Sequence, residues 1–177
     1  MSGWVCPECG LDYDTISPRD AVGAVRSYPR RYRSALAAFG PGEEGDELSR
    51  RRPTPTTWSA LEYTAHAADV LDLTAPSLRR ILVEEKPTLF FFDSDTQAAE
   101  RDYNSQDRSE VLGNLETACA DLAAVMEGIS ADDWGRTGIF TWGERDALIT
   151  ARNAVHEGSH HLRDIEHGLA AVRGSSG

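Results

Sequence analysis

Apolar positions recur at alternating intervals of three and four along four long stretches of this chain, the period of helices that each bury one face. The fourth is the clearest. From Glu144 to Val172 the seam reads Leu148, Ala151, Val155, Gly158, Leu162, Ile165, Leu169 and Val172. Capping signals bound the others. Ser17-Pro18-Arg19-Asp20 offers a capping serine, proline at the first helical position and an acid in the first turn. That first helix should run to about Phe39, with a kink near Pro29. The second opens at Thr57-Trp58-Ser59, where Ser59 and Glu62 form a capping box. It continues to about Glu85 with a bend or break at Pro76, carrying Tyr63, His66, Val70 and Leu73 on one face. The third spans Gln106 to Glu127 with Val111, Leu115, Ala118, Leu122 and Val125 as its seam. Thr141 and Glu144 are positioned as a capping box for the fourth.

The connections are less regular. Residues 40–56, rich in glycine, proline and charge, read as an exposed loop. Residues 86–104 hold Leu89-Phe90-Phe91-Phe92, an apolar run that is costly to expose and should fold over the bundle as the wall of a pocket. No run of alternating strands and no internal repeat is evident. The chain therefore reads as an all-α four-helix bundle over residues 17–173, with an N-terminal arm at 1–16 and a flexible tail at 174–177.

Composition narrows the partners. The formal net charge of −11 opposes a nucleic-acid backbone, which needs a basic face. Arg50-Arg51-Arg52 and Arg30, Arg31 and Arg33 then belong to solvated faces or helix ends. No apolar run approaches the roughly 20 residues of a membrane span, and no signal peptide precedes Cys6, so a cytoplasmic protein is expected. Three cysteines are too few for a disulfide scaffold. Cys119, alone in a helical stretch, reads as a small buried hydrophobe. Cys6-Pro7-Glu8-Cys9-Gly10 has the form of a zinc knuckle, but no second such pair follows. A histidine, a carboxylate or a second chain would complete it; otherwise it is a metal-free turn with two reduced thiols.

Three of the five histidines fall in His156-Glu157-Gly158-Ser159-His160-His161. Two pairs there have the four-residue spacing that brings side chains together on a helix: His156 with His160, and Glu157 with His161. On a helical wheel His161 lies about 80° and Glu157 about 120° from the centre of the apolar seam, whereas His156 and His160 lie about 140° and 180° away. A metal inside a bundle draws ligands from the edge of the core, which favours Glu157 and His161. His66, embedded among apolar neighbours, supplies a third ligand; alone it would read as a core histidine with one hydrogen bond. Three protein ligands from distant segments suit an open site for zinc, nickel or a similar divalent ion.

Together, Trp58-x3-Glu62-Tyr63-x2-His66-x2-Asp69 and His156-Glu157-x3-His161-Leu162-x-Asp164-Ile165 resemble the DinB-like (YfiT-like) metalloenzyme superfamily over roughly residues 17–172. The N-terminal cysteine arm is similar to one found in actinobacterial members. The resemblance implies a bundle of that family's topology. It also implies a metal held by His66, Glu157 and His161, glutamate at this place being typical of maleylpyruvate isomerase-like members. Asp69 and Asp164 become candidates for orienting the imidazoles. The implied chemistry is metal-dependent S-transfer or isomerisation of a small-molecule substrate with a thiol of the mycothiol type, held at an arginine- and aromatic-lined mouth. The competing class is a non-catalytic metal-binding or stress-response bundle, and either form could be a homodimer. An all-histidine site with His156 and His160 as ligands remains the alternative if the last helix is rotated.

Overall fold

The computed structural model describes residues 4–174. The last residues of the expected tail, and the first three of the arm, lie outside them. Four long helices dominate: α1 (Pro18–Ala37), α3 (Ala60–Val83), α5 (Arg108–Glu127) and α6 (Ala147–Gly174). Two short helices, α2 (Gly42–Arg50) and α4 (Ser94–Glu100), lie in the connections. α1 packs against α5 and α6, and α3 packs against the same two. Each long helix thus sits diagonally from one of its sequence neighbours, α1 from α3 and α5 from α6. The bundle is not a simple up-and-down array. No helix among the described residues is long and apolar enough to cross a membrane.

The caps of α1 and α3 form where the sequence signals them. Ser17 and Asp20 cap α1 reciprocally, and Ser59 and Glu62 cap α3. Glu62 is buried and also bound by Arg52, whose Nε donates to it at 2.9 Å. Arg50 donates to the carbonyls of Asn104 and Gln106. Both arginines thus serve internal structure. α1 and α3 run without a break through Pro29 and Pro76.

Three expectations need correction. The segment 40–56 is not simply an exposed loop: it contains α2, with Glu43 and Glu44 in its first turn and Arg50 in its last, charges that complement the helix dipole. Strands also occur. β1 (Thr137–Phe140) and β2 (Gly143–Asp146) form an antiparallel hairpin, turned where Gly143 takes a φ of +113°. Thr141 and Glu144 therefore do not cap the last helix. Glu144 lies in β2 and pairs with Lys86 and Thr137, while Asp146 accepts from the Ile149 amide at 2.7 Å and caps α6. The aromatic run docks on this hairpin: the Leu89 amide donates to Ile139, and the Ile139 amide donates to Pro87, both at 2.8 Å. Leu89 is buried and Phe91 packs on the core, but Phe90 stays 71% exposed.

The depth of α6 is set by a close approach to α1. The hydroxyl of buried Tyr28 donates to the Val155 carbonyl at 2.8 Å, and that of Tyr32 donates to the Gly158 carbonyl at 2.9 Å. A β-carbon on Gly158 would sit 2.4 Å from the Tyr28 ring. The ring cannot swing away without breaking its hydrogen bond. Gly158→Ala should therefore destabilise the fold by about 1–3 kcal/mol, the usual penalty for overpacking. An unchanged midpoint in denaturant unfolding would show that the two helices can separate freely.

Candidate metal centre

α3 and α6 bring together the three residues singled out from the sequence. One donor atom from each of His66, Glu157 and His161 lies within 4.8 Å of the others. His66 Nε2 is 3.6 Å and His161 Nε2 3.3 Å from the same oxygen, Glu157 Oε2. For comparison, two donors about 2.1 Å from a tetrahedral ion stand about 3.4 Å apart. His66 is 3% exposed. Its ring is flanked edge-on by Trp58 at 5.1 Å and Phe92 at 5.9 Å, which restrict its orientation. Tyr63 stacks on His161 at 5.2 Å.

His161 is also oriented by hydrogen bonding. Its Nδ1 lies 2.9 Å from Asp164 Oδ2. A carboxylate behind the ring in this way leaves Nε2 to face the centre, an arrangement common behind metal-bound histidines. Asp69 does not act on His66. It accepts instead from Tyr103, from Gln97 and from Arg101, whose Nη1 lies at 2.7 Å.

The electrostatics suit a cation. Burial alone would raise the pKa of Glu157, but the imidazoles of His156, His161 and His66 hold it far below the ordinary carboxylate range. Burial would likewise depress His161; the carboxylates of Asp164 and Glu157 overcome this and lift it to about 9. A divalent ion would supply these carboxylates with the same compensating positive charge. Among the described residues, the buried side-chain polar atoms without a hydrogen-bond partner are His66 Nδ1, His156 Nε2 and His161 Nε2. Such atoms are expensive in an interior unless a ligand uses them. The donor set, its spacing and the orphaned nitrogen of His161 fit a divalent ion.

A cavity of about 410 Å³ opens beside His66 and Glu157. Phe91, Phe92, Phe140 and Trp142 line its aromatic side, and Arg145 its charged one. The Arg145 guanidinium is braced by the carbonyls of Glu144 and Trp142, at 2.7 and 3.3 Å. The sequence marked the aromatic run as a pocket wall. It did not single out Arg145, which the unrecognised hairpin delivers. Tyr13 from the N-terminal arm completes another wall and donates to Asn153 at 3.2 Å. His156 and His160 do not join this centre. They face the arm, where they form a second group with Cys6 and Cys9. The separate cues were present as an incomplete cysteine pair and a spare i, i+4 histidine pair. His167 is exposed on the outer face.

Comparison with known proteins agrees with this architecture. YfiT from Bacillus subtilis, described as a probable metal-dependent hydrolase with an unusual four-helix bundle topology, superposes with a TM-score of 0.79 at 16% identity, covering 91% of each chain. A conserved protein from Enterococcus faecalis gives a TM-score of 0.69 at 14% identity, covering 88% of this chain and 96% of its own. Mycothiol-dependent maleylpyruvate isomerase gives 0.68 at 13% identity; the match covers 88% of this chain but only 63% of the isomerase. At these identities the likeness is one of fold. No curated protein matches the sequence. The profile of the DinB superfamily matches residues 27–165, and the chain belongs to that superfamily.

Proposed function

We propose that this protein is a metal-dependent enzyme acting on a small electrophilic substrate with a low-molecular-weight thiol of the mycothiol type, as an S-transferase or isomerase. The observation that supports catalysis over simple metal storage is the cavity, which reaches His66 and Glu157 directly. A storage site gains nothing from a pocket of substrate size at its ligands.

His66, Glu157 and His161 would hold zinc, nickel or a similar divalent ion. Such an ion supplies Lewis acidity and lowers the pKa of a thiol or water that reaches it. The chain's own groups perform the rest. Asp164 fixes the tautomer and direction of His161, and Trp58 and Phe92 fix the ring of His66. Phe91, Phe92, Phe140 and Trp142 exclude water and pack against the apolar part of a substrate. Arg145 supplies positive charge at the cavity of a strongly acidic protein, suited to a carboxylate on substrate or thiol. The maleylpyruvate isomerase likeness supports the thiol-dependent version, whereas YfiT points to water as the alternative occupant.

Three outcomes are expected. His66→Ala, Glu157→Ala and His161→Ala should each lower bound metal by one ion per chain in elemental analysis. Asp164→Asn should weaken affinity at that centre by about 10–100-fold, as loss of a ligand-orienting carboxylate does. Wild-type metal content in all three ligand variants would sink the assignment. Next, adding mycothiol or a similar thiol to cobalt-substituted protein should produce a sulfur-to-metal charge-transfer band over the thiol-free spectrum. The thiol should then be consumed with an electrophile only when metal is present. A spectrum indifferent to thiols, with no exchangeable water on the ion, would leave only a binding protein. Finally, Arg145→Gln should raise KM for an anionic substrate or thiol about tenfold and flatten its salt dependence, since the screened attraction is gone. Unaltered KM would remove Arg145 from the binding site.

A further inference from the structure

The back of α6 carries a second donor cluster, independent of the reading of the bundle centre. One ligand atom from each of Cys6, Cys9, His156 and His160 lies within 4.8 Å of the others. Cys6 Sγ is 3.6 Å from His160 Nδ1. That matches the edge of a zinc tetrahedron: with Zn–S of about 2.3 Å and Zn–N of about 2.0–2.1 Å, sulfur and nitrogen stand about 3.6 Å apart. We propose that Cys6, Cys9, His156 and His160 bind a structural zinc ion that fastens the N-terminal arm to α6.

The arm already has the backbone of a zinc knuckle. Val5 pairs with Asp12 in an isolated bridge. The Cys6 amide donates to Leu11 and the Gly10 amide to Cys6, both at 2.9 Å. Gly10 turns the chain with a φ of +73°, in the left-handed region open to glycine. The amides of Glu8 and Cys9 are directed at the Cys6 sulfur, and that of Leu11 at the Cys9 sulfur. Amide donors of this kind favour a thiolate, the form in which cysteine binds metal. At Cys6 they prevail over burial, whereas at Cys9 burial and the neighbouring Cys6 keep the thiol above its ordinary range.

The histidines are prepared in the same sense. His160 presents Nδ1 to Cys6 while its Nε2 lies 3.2 Å from Glu8 Oε2. His156 lies beside the Cys6 sulfur; its Nδ1 is 3.4 Å from Glu157 Oε1 and its Nε2 is buried without a partner. Each ring thus has a carboxylate at one nitrogen and the other nitrogen left for a ligand. The spacings C-x2-C and H-x3-H are those of structural zinc sites. A Cys6–Cys9 disulfide would satisfy the sulfurs but leave the His156 nitrogen orphaned. Two thiolates also balance the ion's charge, and four protein ligands leave no open position. The site therefore holds structure, and what it holds is the arm that carries Tyr13 into the cavity wall.

X-ray absorption at the zinc edge of zinc-loaded wild-type protein tests the proposal directly. Sulfur neighbours at about 2.3 Å are expected, averaging two per zinc with only this site filled and one with both sites filled. Zinc with nitrogen and oxygen neighbours alone would overturn it. Variants separate the two centres. Folded His66→Ala should retain one zinc with two sulfur and two nitrogen neighbours. Adding Cys6→Ser and Cys9→Ser should weaken that ion's binding by at least about 100-fold, more than a lost orienting group does. Retention of tightly bound zinc by this triple variant, or an absence of zinc from folded His66→Ala, would refute it. So would immediate reaction of Cys6 and Cys9 with a thiol reagent in the zinc-loaded wild type.

Discussion

A half-buried carboxylate set among imidazoles is the constraint on which the rest of the site depends. One oxygen of Glu157 faces His66 and His161, and the other faces His156. An ionised carboxylate partly withdrawn from water is costly unless compensated, and surroundings of leucine and alanine alone would not compensate it. The histidines of α3 and α6 supply the compensation. Because they come from two helices, the charge also fixes how those helices register at this level. Asp164 extends the same logic, lying near His161 with one oxygen and within 3.7 Å of His160 with that same oxygen.

The carboxylate can sit at that depth only because its neighbour has no side chain. Gly158 lets Tyr28 approach α6, and the tyrosine hydroxyls then anchor that helix through the carbonyls of Val155 and Gly158. A bulkier residue would lift the helix and carry Glu157 away from His66. Packing between α1 and α6 is thus coupled to the geometry of the donors that α6 carries. The irregular connections then turn a ligand set into a cavity. The hairpin contributes Phe140, Trp142 and Arg145, and the segment before α4 contributes Phe91 and Phe92. Rigid helices position the donors, while loops determine what can reach them.

Much of this was legible because it is local. The capping pairs Ser17–Asp20 and Ser59–Glu62 act within one turn, so their sequence spacing nearly dictates their structure. The apolar seam of α6 likewise sets which side faces inward, which is why Glu157 and His161 could be separated from the neighbouring histidine pair. The β1–β2 hairpin was not legible. Its four-residue strands are too short to establish a period, and Thr141 and Glu144 imitate a helix start until Asp146 is seen to cap the helix.

The sequence by itself determined four amphipathic helices and a six-residue segment rich in metal-binding side chains, since both follow from spacing along a single helix. It also placed His156 and His160 on the side of α6 turned away from the bundle. Only the tertiary structure decided that this side is covered. Cys6 and His160 are 154 residues apart, and their meeting depends on the packing of the arm against α6. The convergence of His66 with Glu157, and the arrival of Arg145 at the cavity, were decided in the same way. Periodicity reports which face of a helix is apolar, but which segment comes to lie on each face is settled by long-range packing that no local spacing records.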